Sequence, residues 1–289
     1  MRYLDAAALR AALPMPEAIE SMVSAFGDDR EVPVRVRLGS SLFMPGRVGD
    51  HTGVKVVSVI PGSPAGIVAV FGPDGDPLGL VHGSELTRIR TGAASGLATR
   101  LLARPDARVL AMLGAGAMAF DQIEAVRSVR SIERVLVWSR TTGRASDLAG
   151  SVGGEAMADA DAAVALADVV CCATPATEPL FDDRSVLPGT HINAVGAFTP
   201  EMAEIPPGTL RRAFVVVDDE EAALSEAGDL IRAGRFPPDA SIADLLTGRQ
   251  EPGGRPVTVF KSVGIASQDV AAAVRALEHA EQADLGIPI

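Results

Sequence analysis

Between residues 108 and 264 short apolar runs alternate with helical segments, and the first of these runs ends in a glycine turn. The runs are "RVLAMLG", "RVLVWS", "DVVCCA", "HINAVG" and "AFVVVD", with a helix from 117 and another near 143. Strands joined through helices pair in parallel, because parallel neighbours need a crossover long enough to hold one. The expectation is an α/β fold with a doubly wound parallel sheet. In "VLAMLGAGAMA" the spacing is G-x-G-x-x-A, with Gly114, Gly116 and Ala119 directly after a strand and opening a helix. That spacing is weak alone and strong in this setting: the glycines permit the tight turn and let backbone approach a pyrophosphate facing the helix N-terminus. Dinucleotide binding at Gly114, Gly116, Ala117 and Met118 follows as the expectation.

The end of the second strand selects the dinucleotide. An acid there would hold the ribose 2′-OH of NAD, whereas arginine accommodates a 2′-phosphate. "VLVWSRTTGR" places Ser139, Arg140 and Thr141 at that point with no acid. NADP(H) is therefore expected, with NAD(H) second. Thr174, at the end of the next strand, stands where the crevice over the cofactor should open, although a strand-end threonine also serves as a cap.

The front of the chain is strand-rich, with runs at 33–44, 53–60 and 65–71 and a further one in "LGLVHG". A helix over 84–103 places Leu86, Arg90, Ala93, Leu97 and Leu101 on one stripe, so Arg90 faces inward. In "TGVKVVSVIPG" Lys55, one of only two lysines in the chain, shares a face with Val57 and Val59, and both faces read as buried. Two readings stand: an edge-strand lysine whose stem covers apolar surface, or a buried ammonium that needs an anion. His82 and His191 are acid/base candidates, but each reads first as a hydrogen-bonded strand-end residue.

A chain of 289 residues with 47% hydrophobic and 22% charged residues suits about two well-cored domains. The net charge of −11 argues against nucleic acid as a partner. Cys171 and Cys172, adjacent in an apolar run, offer no disulfide framework, and no stretch reaches membrane-span length. A cytoplasmic protein is the expectation.

Five segments together, "TGVKVVSVIPG", "LTRIRTGAASGLATRLLAR", "LGAGAMA", "HINAVGAFTPEMAEI" and "TVFKSVGIASQDVAAA", resemble the ornithine cyclodeaminase/mu-crystallin family of NAD(P)-dependent oxidoreductases. The resemblance implies a Rossmann-type dinucleotide domain, 106–264, inserted into a smaller α+β substrate-binding and dimerisation domain, 1–105 plus 265–289. It implies a homodimer through the substrate domain. It also implies a pocket in which Lys55, Arg90 and Arg35 meet a substrate carboxylate, beside Leu42, Met44 and Phe198. Arg37 shares the strand face of Arg35, which leaves open which of the two reaches the pocket. Val195, Ser262, Gly264 and Thr91 join the implied cofactor contacts. Clustered positive charge should lower the pKa of Lys55 and suit it to proton exchange.

Family members that close ornithine into proline carry acids where this chain has Leu42 and Phe198. A cationic side chain would meet apolar walls there, at about 2–5 kcal/mol for a buried unpaired charge. The implied function is NAD(P)H-dependent reduction of 2-imino acids, of the Δ1-pyrroline-2-carboxylate type, on a small imino or amino acid. The alternatives are ornithine cyclodeaminase, an amino-acid dehydrogenase, or a mu-crystallin-like binding protein without turnover.

Overall fold

The structure is a computed structural model that describes residues 1–60 and 65–289; Pro61 and Gly62, the end of the lysine-bearing segment, lie outside the described residues. The chain divides into two units, Met1–Ala94 with Ile265–Ile289, and Ser95–Gly264. The division falls inside the helix Gly83–Leu102 rather than at residue 105. The last turns of this helix are tied to the second unit: Thr99 Oγ1 accepts from Asn193, and the Arg130 guanidinium donates to the carbonyls of Thr99, Arg100 and Ala103. Among the described residues no helix is long and apolar enough to cross a membrane.

The first unit is built on a mixed sheet whose central strands, Ser41–Val48, His51–Ser58, Gly66–Phe71 and Pro77–His82, pair antiparallel in sequence order. Alternation decides what each face meets. Gly53 and Lys55 are buried on one face, while Val54 and Val56 on the other are only half-buried. Only one face is thus covered by the chain itself, where both were expected to be. The covering element is the helix Ala266–Gln282, which lies on these strands and carries the helix Met15–Phe26 packed against it. Ala266–Gln282 sits close on the sheet at Gly46, where a Cβ would come within 2.9 Å of the Ala266 Cβ. The expected run at 33–44 is a hairpin instead. Val36–Leu38 pairs back on Ser41–Val48 through a turn that puts Gly39 at φ 60°, a conformation glycine adopts at little cost.

The second unit carries an all-parallel sheet with eight strands in the order Glu155–Ala156, Arg134–Trp138, Val109–Leu113, Val169–Cys172, His191–Ala194, Thr258–Lys261, Phe214–Val217 and Ala240–Ser241. The chain enters at Val109–Leu113, winds outward, then returns to Val169–Cys172 on the opposite side. That reversal is the switch point at which doubly wound sheets open a crevice beyond their C-terminal strand ends. Both faces are buried, as in other parallel sheets, which is why its strands read as continuous apolar runs rather than alternating ones.

Candidate active site

Each unit contributes one constellation. In the first, Lys55 lies opposite Met44 on one neighbouring strand and Val68 on the other, all three buried. Its ammonium Nζ is 2.7 Å from Asp269 Oδ2. Arg90 donates through Nε to Asp269 Oδ1 at 3.2 Å and through Nη1 to Gln268 Oε1 at 2.7 Å. One carboxylate therefore serves two cations, each side chain less than one-tenth exposed. The group leaves a net positive charge in a buried place, an arrangement suited to receiving an anion.

Burial pushes the Lys55 pKa down to about 8, with the Asp269 charge opposing that shift and the charges of Arg90 and Arg35 reinforcing it. Burial alone would raise Asp269; the Lys55 and Arg90 charges outweigh it and hold the carboxyl below its ordinary value. Arg35 precedes the strand Val36–Leu38, half-buried, and its field reaches Lys55, whereas Arg37 is exposed within that strand. Leu42 is half-buried on the strand that carries Met44, and Thr91 is buried in the turn after Arg90. Asp269 is the member of this buried cluster that sequence reasoning missed. It stands in the first turn of the helix Ala266–Gln282, where an acid reads simply as favourable to the helix dipole.

In the second unit Gly114 has φ 111°, and its N–H donates to the carbonyl of Trp138 at 2.8 Å. A Cβ there would meet the Ala173 carbonyl oxygen at 2.8 Å, so the turn requires glycine. Around Gly116 a Cβ would meet nothing within 4 Å, and no side chain caps the helix Ala119–Val129 that Met118 opens. Open space beside uncapped helix N–H groups is what a pyrophosphate needs. The crevice is lined by this turn together with Ser139, Arg140, Thr141 and Arg144 on one side and Thr174, Pro175 and Ala176 on the other. Arg144, in the first turn of the helix Thr142–Val152, is a second cation that the motif did not single out. The residues present fit a dinucleotide.

Val195, with Ala115, Met118 and Ala173, belongs to one apolar cluster beneath the crevice. Thr174 donates its N–H and hydroxyl to Glu204 Oε1, at 2.7 and 2.8 Å. Ser262 donates its hydroxyl to Asp218 Oδ2 at 2.7 Å, and Gly264, at φ 78°, donates its N–H to the same atom at 2.7 Å. These groups shape the loop after the strand Thr258–Lys261. Phe198, in the loop after His191–Ala194, is 48% exposed. His191 is buried between Thr258 Oγ1 at 2.9 Å and Asn193 Oδ1 at 3.1 Å, and burial pushes its pKa down to about 4, so it is a neutral core group. His82 accepts the N–H of Glu85 and caps the helix Gly83–Leu102.

Switch-point crevice, glycine turn and buried lysine together define an NAD(P)-dependent oxidoreductase of the Rossmann class. Residues 17–284 match the model of the ornithine cyclodeaminase/mu-crystallin family. A Δ1-pyrroline-2-carboxylate reductase of Bacillus cereus is 37% identical, with 90% of each chain covered. The ketimine reductase mu-crystallin of Mus musculus is 36% identical over 75% of this chain and 69% of its own. The solved structure of Thermococcus litoralis Δ1-pyrroline-2-carboxylate reductase in complex with NADH and L-proline superposes with a TM-score of 0.92 at 32% identity, covering 100% of both chains. The chain belongs to the ornithine cyclodeaminase/mu-crystallin family.

Proposed function

We propose that this protein is an NAD(P)H-dependent reductase of 2-imino acids, with Δ1-pyrroline-2-carboxylate or a near relative as substrate. The observation that carries the reading is the buried Lys55–Asp269–Arg90 cluster: an ammonium whose pKa lies near 8, held beside a guanidinium. Arg90, with Arg35 contributing, binds the substrate carboxylate. Lys55 delivers a proton to the imine nitrogen, which makes the adjacent carbon electrophilic. The reduced dinucleotide, when bound, supplies the hydride that this carbon accepts. One proton and one hydride convert the C=N bond to CH–NH, and Lys55 is reprotonated from solvent. Asp269 keeps the ammonium in place between turnovers. The relatives named for imine reduction support this assignment, as does the proline bound to the Thermococcus enzyme.

Leu42 and Phe198 narrow the substrate. Each stands where the resemblance calls for an acid to hold an amino group, and neither accepts a hydrogen bond from one. A preformed cyclic imine presents no distal ammonium and needs no such acceptor. The expected result is steady NAD(P)H oxidation with Δ1-pyrroline-2-carboxylate and no ammonia release from L-ornithine given oxidised cofactor. Ammonia and proline formation from ornithine at a matching rate would restore the cyclodeaminase reading. No turnover in either assay would favour a binding protein.

NADP(H) is the preferred dinucleotide on this reading, because Arg140 and Arg144 line the crevice at the end of the second strand and no acid does. The Thermococcus structure holds NADH, so the preference rests on these two guanidiniums. Arg140→Asp with Arg144→Ala is expected to weaken NADPH binding about tenfold or more and leave NADH binding little changed. Equal affinities for the two in the unaltered protein would remove the preference.

We further propose a homodimer formed through the first unit. The uncovered face of its sheet carries Phe43, Val54, Val56, Ile67, Phe71 and Leu78, a contiguous apolar surface left partly exposed, and this chemistry marks an association surface.

A further inference from the structure

The second lysine of the chain is as deeply buried as the first. Lys261 is 0% exposed at the end of the strand Thr258–Lys261. Its Nζ is 2.8 Å from Asp229 Oδ2 and donates to the carbonyl oxygen of Ala197. Asp229 Oδ1 accepts the backbone N–H groups of Glu204 and Ile205, at 2.6 and 2.8 Å. Glu204, itself 0% exposed, takes four donors: Thr174 N–H and hydroxyl on Oε1, and the N–H groups of Gly196 and Ala197 on Oε2 at 2.8 and 3.1 Å. The Thr174 hydroxyl oxygen accepts from Ala176 N–H at 3.3 Å, so its proton is free to go to Glu204. Burial, helped by the nearby Asp229 charge, raises the Glu204 pKa, with the Lys261 charge and the Thr174 bonds opposing that rise. Every partner of this carboxylate is a donor, and only the ionised form accepts four.

The two loops joined in this way have separate duties. Thr174–Ala176 walls the crevice, and Gly196–Phe198 carries the phenylalanine that selects the substrate in the reading above. We infer that Glu204, held by Asp229 and Lys261, is a positioning residue that makes the two loops one rigid piece, so that filling the dinucleotide crevice also fixes the place of Phe198. The inference rests on the crevice taking the dinucleotide and on Phe198 meeting the imino acid.

Hydrogen–deuterium exchange of the intact protein with and without NADPH tests it. NADPH is expected to slow amide exchange at 114–118, at 174–176 and also at 196–198. Glu204→Gln turns an amide NH2 toward one pair of donors. The slowing at 114–118 should then persist while 196–198 stops responding, and the Kd for NADPH should rise about tenfold, the effect of losing charge-assisted hydrogen bonds that order a ligand's wall. The ratio of kcat/KM values for five- and six-membered cyclic imino acids should move toward one in Glu204→Gln and recover in part in Glu204→Asp, a change that a purely structural defect would not produce. Slowing at 114–118 without any at 196–198 in the unaltered protein overturns the coupling, and that arm needs no variant to fold. Unchanged coupling in a folded Glu204→Gln protein overturns the role of Glu204. No slowing anywhere removes the dinucleotide reading itself, and the proposal with it.

Discussion

Asp269→Asn is expected to destabilise the protein by about 3 kcal/mol, because it leaves two buried cations without their carboxylate. The substitution keeps the size of the side chain and one acceptor oxygen, so packing is preserved and the loss is electrostatic. A drop of this size lowers the midpoint of thermal unfolding by roughly 5–10 °C. Chemistry changes as well. Asp269 is the strongest influence opposing deprotonation of Lys55, so its removal carries the lysine pKa further down from about 8. Imine reduction that uses the ammonium form then declines at lower pH than in the unaltered enzyme. Thermal unfolding and a pH–rate profile measure the two effects. A variant with unaltered midpoint and unaltered profile would mean that Asp269 is not the counter-ion of Lys55.

Lys55→Met should reduce turnover by about 10²–10⁴-fold, the usual contribution of a positioned proton donor. Methionine fills much of the same volume, and Arg90 keeps its bond to Asp269, so folding should survive. Dinucleotide affinity should be near normal, since the glycine turn and the arginines belong to the other unit. The pH profile distinguishes proton transfer from simple binding. With a pKa near 8, Lys55 is charged below that value, so the unaltered enzyme's reduction rate falls as pH rises through about 8. Oxidation of the amine product needs the neutral lysine and rises through the same point. In Lys55→Met both limbs should flatten. Near-normal turnover in the variant would leave the lysine a packing element.

Much of this arrangement was legible in residue order. The glycine turn announced the parallel sheet because its spacing, preceding strand and following helix agree, and consistency across levels is what makes a local pattern reliable. Lys55 and Arg90 stood out because a lysine in an apolar strand and an arginine on an apolar helix stripe both demand partners. Their partner did not stand out. Arg90 and Asp269 are 179 residues apart, and nothing local to "SQDVAAA" signals a distant cation. The reasoning that picked out Lys55 applies equally to Lys261 in "VTVFKSVG", yet a lysine near a strand end also reads as one reaching water, and only its burial separates the two. The hairpin around Gly39 escaped although Gly39 and Ser40 are turn residues, because exposed Val36 and Leu38 before them and Leu42 to Met44 after them read together as one apolar run.

The discontinuity of the first unit has a consequence for how the molecule comes into being. Its sheet is encoded early, but the helix that covers the sheet and bears Asp269 is translated only after the whole of Ser95–Gly264. The second unit is contiguous in sequence and has all its strands once residue 264 is clear of the ribosome, whereas the strand carrying Lys55 must wait with its charge hydrated and its apolar face unprotected. On the ribosome the second unit can therefore complete its sheet before the first unit does, and the buried lysine meets its counter-ion only after the whole of Ser95–Gly264 has been made.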